Sequence, residues 1–470
     1  MKFFSIRYTD RILSLVCFLA PLCTVQAQNL SQSPYGRFGL GDMQGSPSAF
    51  IQGLGGVTQA LADSNSLNLS QPAALGALEG GVTIFEAGFT GFSTQYNGVL
   101  GKRMGRSAGF GYFALAFPIK KNKWNASLSL TPISNAGFSL RDSLTDDESG
   151  LINLYYTGAG GFQAFTFGNG FHFGKNLNLG LQMRYLFGRT DYSSKVIYNQ
   201  DTLIQRNSML TNSNRLNDVD FVAGIQYQLR FHKPKQKSHV MSDTTLDGRQ
   251  LHKRKVERDS LHVIFGATFR PMTSINASSS YLAETFFGTT PGTSYTDTVL
   301  FNDRVKGKVT MPMQFGGGIT FKSSSDRWLI TTDYVYTDWN GFRLFDRVDS
   351  VRSSYRVGLG IQINPVSAAR TAGARVAYWK KVRYRVGGYY SDGYLRLNGQ
   401  AVPEMGVSLG FGLPIVLRTY NTRTATSLLN FAITAGQRGA TGTNTLTEQF
   451  IKGTISFSLN DRWFRKFQYD

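Results

Sequence analysis

Alternation of apolar and polar side chains with a period of two, repeated many times, limits this chain more than any other feature. From Leu177 to Phe187 one face carries Leu177, Leu179, Leu181, Met183, Tyr185 and Phe187, and the other Asn178, Gly180, Gln182 and Arg184. From Tyr355 to Ile363 the faces are Tyr355, Val357, Leu359, Ile361 and Ile363 against Arg356, Gly358, Gly360 and Gln362. Near the end Ile451, Gly453, Ile455, Phe457 and Leu459 alternate with Lys452, Thr454, Ser456 and Ser458. A soluble sandwich also alternates, but it tucks shorter strands against a second sheet. Many segments here run to about ten residues or more with aromatics near their ends, which suits a strand tilted across a bilayer. The expected fold is all-β, a transmembrane antiparallel β-barrel. Abundant glycine (51 residues) and aromatics (13%) fit it, because only every second side chain meets lipid and the interfaces collect Tyr, Phe and Trp.

The first segment reads as an export signal. Lys2, Arg7 and Arg11 give a positive start, Ile12 to Leu22 is a short apolar run, and Val25-Gln26-Ala27 is a small-x-small cleavage pattern. Residues 1–27 are therefore expected to be removed, and the apolar run is too short for a spanning helix. Leu22 precedes Cys23, where lipidation calls for a small residue, which disfavours a lipoprotein. Both cysteines, Cys17 and Cys23, lie in this segment, so the mature chain would hold no disulfide and no thiolate metal site.

Removing Lys2, Arg7, Arg11 and Asp10 lowers the net charge from +20 to about +18. Such a balance can mean nucleic acid, but an exported chain meets other polyanions instead. Outer-membrane lipids and lipopolysaccharide are the expected partners, and no nucleic acid is expected. The bland reading of the same charge is solubility on turns and lumen.

Strands are expected at 81–93, 107–118, 123–137, 160–173, 177–190, 217–232, 261–285, 308–322, 327–338, 354–364, 382–392, 403–414, 426–436 and 449–459. That is about fourteen, the even count that lets a single bacterial chain close antiparallel. The segment 261–285 contains Pro271 and could be two strands. Short turns at Lys120 to Lys123, Gly174 to Asn176 and Lys322 to Asp326 share one parity, while 138–159, 191–216, 286–307, 339–353 and 437–448 are longer and should face outward. This parity places both termini in the periplasm of a bacterial cell with an outer membrane. Three connections on the periplasmic side are long: 233–260, 365–381 and 415–425. The first carries Lys233, Lys235, Lys237, Lys253, Arg254 and Lys255, read either as a solvated loop or as an arm for the inner leaflet or another envelope protein.

Residues 28–80 differ: rich in Gly, Ser, Asn and Ala, with weak period, and with modest helical character from Ala49 to Ala62. A segment too small to bury its own core can be ordered inside a barrel, which makes it a candidate plug. The barrel would then be 81–460 and the tail 461–470.

Several motifs resemble the long-chain fatty-acid transporter (FadL-like) family, as a divergent branch. Gly53-Leu54-Gly55-Gly56, Ala62-Asp63-Ser64 and Asn68-Leu69-Ser70-Gln71-Pro72-Ala73-Ala74 are similar to its glycine-rich turn, Asp and Asn-Pro-Ala hatch signature, with Gln71 where Asn is usual. Trp124 to Gly137 resembles its third strand, Trp328 to Trp339 its aromatic strand, and Met311-Pro312-Met313 before Gly316-Gly317-Gly318 is also similar. The ends, Ser33 to Asp42 and Ser458 to Phe464, depart from it. The resemblance implies a hatch built on Gly55, Gly56, Asp63, Asn68 and Pro72, a path for a small hydrophobic ligand, and a lateral opening at a kink in the third strand. Pro132 sits in that strand, and proline belongs at edges or bulges. Pro132 either marks the rim where pairing ends or makes a gap lined by Ser134, Asn135, Ala136 and Gly137.

Chemistry is sparse. His172 lies on an expected strand, the other four histidines cluster at or near the basic turn, and no serine and orienting partner stand out beside His172. Asp146-Asp147-Glu148 reads as a solvated loop rather than a calcium site, and Gly316-Gly317-Gly318 precedes no helix, so it cradles no phosphate. No enzyme activity and no cofactor are expected. Two functions remain: passive uptake of small hydrophobic molecules, or service as a subunit or docking partner of a secretion or assembly complex.

Overall fold

A computed structural model describes residues 33–78, 81–98, 101–147, 150–198, 206–231, 260–288, 296–366, 377–397, 399–416, 426–439 and 446–461. The expected signal segment 1–27, the basic run Lys233 to Lys255 and the tail beyond Asp461 lie outside these residues.

Fourteen strands form the wall of a closed antiparallel barrel. They are β1 (Thr83–Gly98), β2 (Gly101–Lys120), β3 (Trp124–Asn135, continued by Phe138–Asp146), β4 (Gly150–Phe173), β5 (Leu177–Tyr198), β6 (Asn207–Phe231) and β7 (Leu261–Arg270, continued by Thr273–Phe286). Then follow β8 (Thr296–Met311, continued by Met313–Ser323), β9 (Trp328–Asp338), β10 (Ser354–Ile363), β11 (Arg383–Ser391), β12 (Glu404–Val416), β13 (Thr426–Arg438) and β14 (Thr447–Asp461). β14 closes on β1 from Asp461↔Thr83 to Thr447↔Asn97, so the sheet ends where it began. Closure matters because an open sheet edge in hydrocarbon leaves backbone groups unsatisfied.

The outward face is the apolar face. Phe165, Leu181, Phe221, Ile225, Phe265, Phe315, Ile330, Leu359, Leu409 and Ile455 are all exposed, as a bilayer-facing surface requires. Tyr334, Tyr355 and Tyr390 mark one rim of this band, with ring centroids 6.0 and 6.2 Å apart along the row. Above Tyr185 and Phe269 the wall continues through β3 to β8 with largely polar residues, among which apolar side chains such as Leu151 and Phe301 stand exposed. This makes a tall six-stranded sheet from Phe138–Asp146 to Thr296–Met311. β5 has 22 residues, about twice what a tilted crossing needs.

Pro271 resolves the long segment. It separates two pieces of one bent strand, the lower paired with Met313–Ser323 and the upper with Thr296–Met311. The short turns at 120–123, 174–176 and 322–326 all lie at one end of the barrel. The expected long loops 138–159, 191–216 and 286–307 are largely strand, forming the tall sheet at the other end. The connection after β9 folds inward. Trp339 and Phe342 join Leu40, Phe162, Leu186, Ile275, Val309 and Met311 in an apolar cluster that fills the lumen near the tall end.

Residues 33–78 run down the inner face of this wall. They contain one helical turn, Ala49–Gln52, and a six-residue 3-10 turn, Pro72–Ala77. The longer helix read over Ala49 to Ala62 stops after that turn, because Gly55 and Gly56 take φ of 71° and 74°. Ser33 sits at the tall end, where its hydroxyl donates to Glu448 at 2.5 Å, whereas Asp461 lies at the short-turn end. The described chain therefore starts and finishes at opposite ends of the barrel.

Candidate functional site

Inward-facing glycines explain how a chain of this size fits inside. A Cβ on Gly180 would lie 2.2 Å from the Pro72 carbonyl carbon, on Gly266 1.9 Å from the Gln59 carbonyl oxygen, and on Gly387 2.2 Å from the Gly55 nitrogen. A Cβ on Gly170, Gly224, Gly316, Gly360 or Gly410 would meet the same segment at 1.9 to 2.8 Å. Gly316 and Gly318 of the triplet face Gln59, and Gly317 faces open space. The strand glycines are thus the sequence record of close backbone approach.

Polar groups lock the segment in place. Arg356 donates to the carbonyl oxygens of Gly55 (2.7 Å) and Gly56 (3.2 Å), while the Thr58 amide donates to Asp333 at 2.7 Å. Asn68 ties the segment to itself by donating to the Thr58 and Leu61 carbonyls at 2.6 and 2.9 Å. Asp63 pairs with Arg383 at 2.6 Å and accepts the Asn65 amide. Burial pushes the Asp63 carboxyl up, but Arg383, Lys322, the Asn65 amide and Arg385 together outweigh it and hold it below its ordinary value. Gln71 donates to the Gln59 and Ala267 carbonyls and accepts the Ala73 amide, capping the turn that opens at Pro72. The extra methylene of Gln71 lets one side chain reach both the wall and the turn. Glu86, 1% exposed, accepts from the Leu67 amide, the Tyr112 hydroxyl and the Ser458 hydroxyl.

One stretch of wall is open. β2 and β3 pair only from Lys120↔Trp124 to Phe113↔Leu130. Above that, Lys102 to Tyr112 pair with β1 alone, and the upper part of β3 pairs on its far side with β4. Pro132 lies just above the last β2–β3 pair, at a register shift between Pro132 and Ser134 in the β4 pairing. The edge that β2 abandons is taken by the inner segment: Asp42 pairs with Asn135 and Met43 with Ser134, and the Gln44 amide donates to the Ile133 carbonyl at 2.9 Å. The Ser134 hydroxyl donates to the Leu40 carbonyl, and Asn135 accepts the Gly137 amide. Arg438 of β13 holds Asp42 by an ion pair. Pro132, Ser134, Asn135 and Gly137 therefore stand together at the gap. Gly55, Gly56, Asp63, Asn68 and Pro72 are spread along the segment 33–78 that lies against the inner wall.

The space that remains inside is lined by charged, polar and apolar side chains together. A cavity of about 480 Å³ is lined by Asp42, Arg184, Arg270, Arg356, Glu404 and Lys452 among others. Arg184 is paired with Asp220. His172 meets Asn178 at 2.6 Å, with no nucleophile described beside it. Sequence reading missed Glu86, Asp333 and Arg356, which look like any other polar members of an alternating strand.

No curated protein matches the chain. Among solved structures, the CymD monoaromatic hydrocarbon channel is 13% identical, with 91% of this chain and 100% of that one covered and a TM-score of 0.48. The Pseudomonas putida toluene transporter TodX is 12% identical, with coverage of 90% and 99% and a TM-score of 0.49. A Pseudomonas aeruginosa FadL homologue is 12% identical, with the same coverages and a TM-score of 0.48. A family model described as BamG matches residues 9–247 and 230–470, nearly the whole length, and the chain accordingly belongs to the BamG family.

Proposed function

We propose that this protein is a sealed barrel of the bacterial outer membrane that works as a subunit or docking partner of an envelope complex, with residues 28–80 as its plug. One observation carries this reading. In the tall sheet, beyond the bilayer band, Asp297 to Gly307 of β8 form an edge without a ladder partner on their outer side among the described residues. Val299, Leu300, Phe301 and Val305 on that edge are 65, 45, 59 and 54% exposed. Soluble proteins blunt such edges, and one left long, with four exposed apolar side chains among charged ones, fits a partner strand. The braced plug and charged remaining cavity agree with a barrel that conducts nothing through its lumen. The export signal at 1–27 and a periplasmic short-turn end belong to the same reading, as does a basic arm at 233–260 facing periplasmic proteins or lipid. A photo-crosslinker at Leu300 tests it: a discrete envelope protein should be captured, and Phe301→Asp should abolish its co-purification. A barrel that extracts alone and crosslinks to nothing would end the idea.

A second reading has its own support in the β2–β3 gap. Small hydrophobic molecules, such as fatty acids or monoaromatics, would leave the wall sideways past Pro132 once Asp42 and Met43 withdraw. CymD and TodX, named above, are by their descriptions a monoaromatic hydrocarbon channel and a toluene transporter. Uptake of a labelled fatty acid and of toluene by cells with and without the protein separates the readings.

A further inference from the structure

The outer surface of the barrel has a groove that the foregoing reading does not use. Across β2, β1, β14, β13, β12 and β11 one outward rung reads Met104, Gln95, Gln449, Gln437, Met405 and Tyr390. The next rung reads Arg106, Ser93, Ile451, Ala435, Val407 and Gly388. Small residues at Ser93, Ala435 and Gly388 sink the surface between taller neighbours, leaving a groove of about 820 Å³. Its walls are apolar and exposed: Met104 62%, Met405 53%, Val407 67% and Ile451 57%.

Charge at one end says what could fill it. Lys102 and Arg106 are exposed and share the face of β2 that carries Met104, since all three alternate along it. Neither has an ion-pair partner among the described residues. The 9-residue β11 and the 20-residue β2 both reach this rung from the short-turn end, so the rung climbs from Tyr390 to Met104. Tyr390 belongs to the interfacial aromatic row, so the groove runs up from that row to Lys102 and Arg106, which stand at its headgroup end. An apolar trough capped by two free cations at that depth complements a lipid whose headgroup carries phosphate.

We propose that this groove binds a phosphorylated glycolipid of the lipid A class, an acyl chain lying over Val407, Ala435 and Ile451 and a phosphate meeting Lys102 and Arg106. This rests on the tall end facing outward, as the proposed function has it. That orientation is read separately, by labelling Leu144→Cys on intact cells with a membrane-impermeant maleimide.

Native mass spectrometry of the full-length protein would follow binding of bisphosphorylated lipid A, the same lipid without phosphates, and phosphatidylglycerol. One bisphosphorylated lipid A per barrel is expected, about tenfold tighter than either other lipid. The double change Lys102→Gln with Arg106→Gln should erase that preference, and Ala435→Trp should block binding while the barrel still migrates as folded without heating. Equal binding of all three lipids, a preference for phosphatidylglycerol, or indifference to both variants would overturn the proposal. So would a protein that occupies the groove and excludes lipid A.

Discussion

Arg356 of β10 holds the carbonyl oxygens of Gly55 and Gly56 with two arms of one guanidinium, and its plane lies 4.4 Å from the centre of the Tyr389 ring. A turn with two consecutive left-handed glycines aims both carbonyls the same way, and only a planar, forked donor answers both. Arg356→Ala should leave two inner carbonyls without this donor and cost about 2 kcal/mol or more. Arg356→Lys should recover only part of it. Urea unfolding of the barrel in vesicles, followed by tryptophan fluorescence, measures the difference; equal midpoints for all three proteins would remove Arg356 from the account.

The glycine lining gives a sharper contrast. Gly180→Ala places a methyl 2.2 Å from the Pro72 carbonyl carbon, with backbone on both sides, so the inner segment must shift. Gly317→Ala meets nothing within 4 Å. Protease accessibility of residues 33–78 in the folded barrel should rise for the first variant and stay at the wild-type level for the second. If both behave alike, close packing against the strands is not what seats the segment.

Acid should loosen the plug, and Asp63 sets the direction. Its folded pKa lies below the ordinary value, with burial raising it and Arg383, Lys322, the Asn65 amide and Arg385 together outweighing burial. A depressed folded pKa contributes stability that is present above the unfolded value of about 3.9 and is lost as pH falls through the folded one. Asp63→Asn leaves Arg383 buried without its anion, at a cost of about 3 kcal/mol at neutral pH. The gap between wild type and variant should narrow below about pH 4. Unfolding midpoints at pH 7 and pH 3 give the answer, and a gap of the same size at both would place the stabilisation elsewhere.

How much of this could be read beforehand follows from what leaves a mark on sequence. All fourteen wall strands were legible because lipid on one face imposes a period of two, as in Leu177 to Phe187. Their tall extensions were not. Asn207 to Arg215 stand beyond the bilayer, carry polar residues on both faces, and so read as a loop although they pair with both neighbours. The segment 33–78 showed where it was but not how it was held. Asp63, Asn68 and Pro72 belonged to a recognisable pattern, while Arg356, Asp333 and Glu86, which hold Gly55, Thr58 and Leu67 of the same segment, sit on distant strands, at positions where any polar residue keeps the alternation. Pro132 was visible because proline is rare inside a strand. That Asp42 and Met43 cover the edge beside it was not, since a two-residue strand has no period.

That covering strand supplies the last prediction. Met43 and Ser134 are register partners across the open edge, and a mature chain starting after residue 27 would contain no cysteine, so Met43→Cys with Ser134→Cys can be oxidised without competing thiols. The crosslink should form readily in the folded barrel and not in the urea-unfolded chain. It also divides the two functions. If the protein works through its tall edge, fixing Asp42 and Met43 in the gap leaves partner capture at Leu300 unchanged. If hydrophobic cargo leaves sideways past Pro132, the same bond should stop uptake, and a reductant should restore it. A crosslinked protein that keeps both activities would show that the gap is a sealed seam in the wall, as the Asp42–Arg438 ion pair and the paired edge already favour.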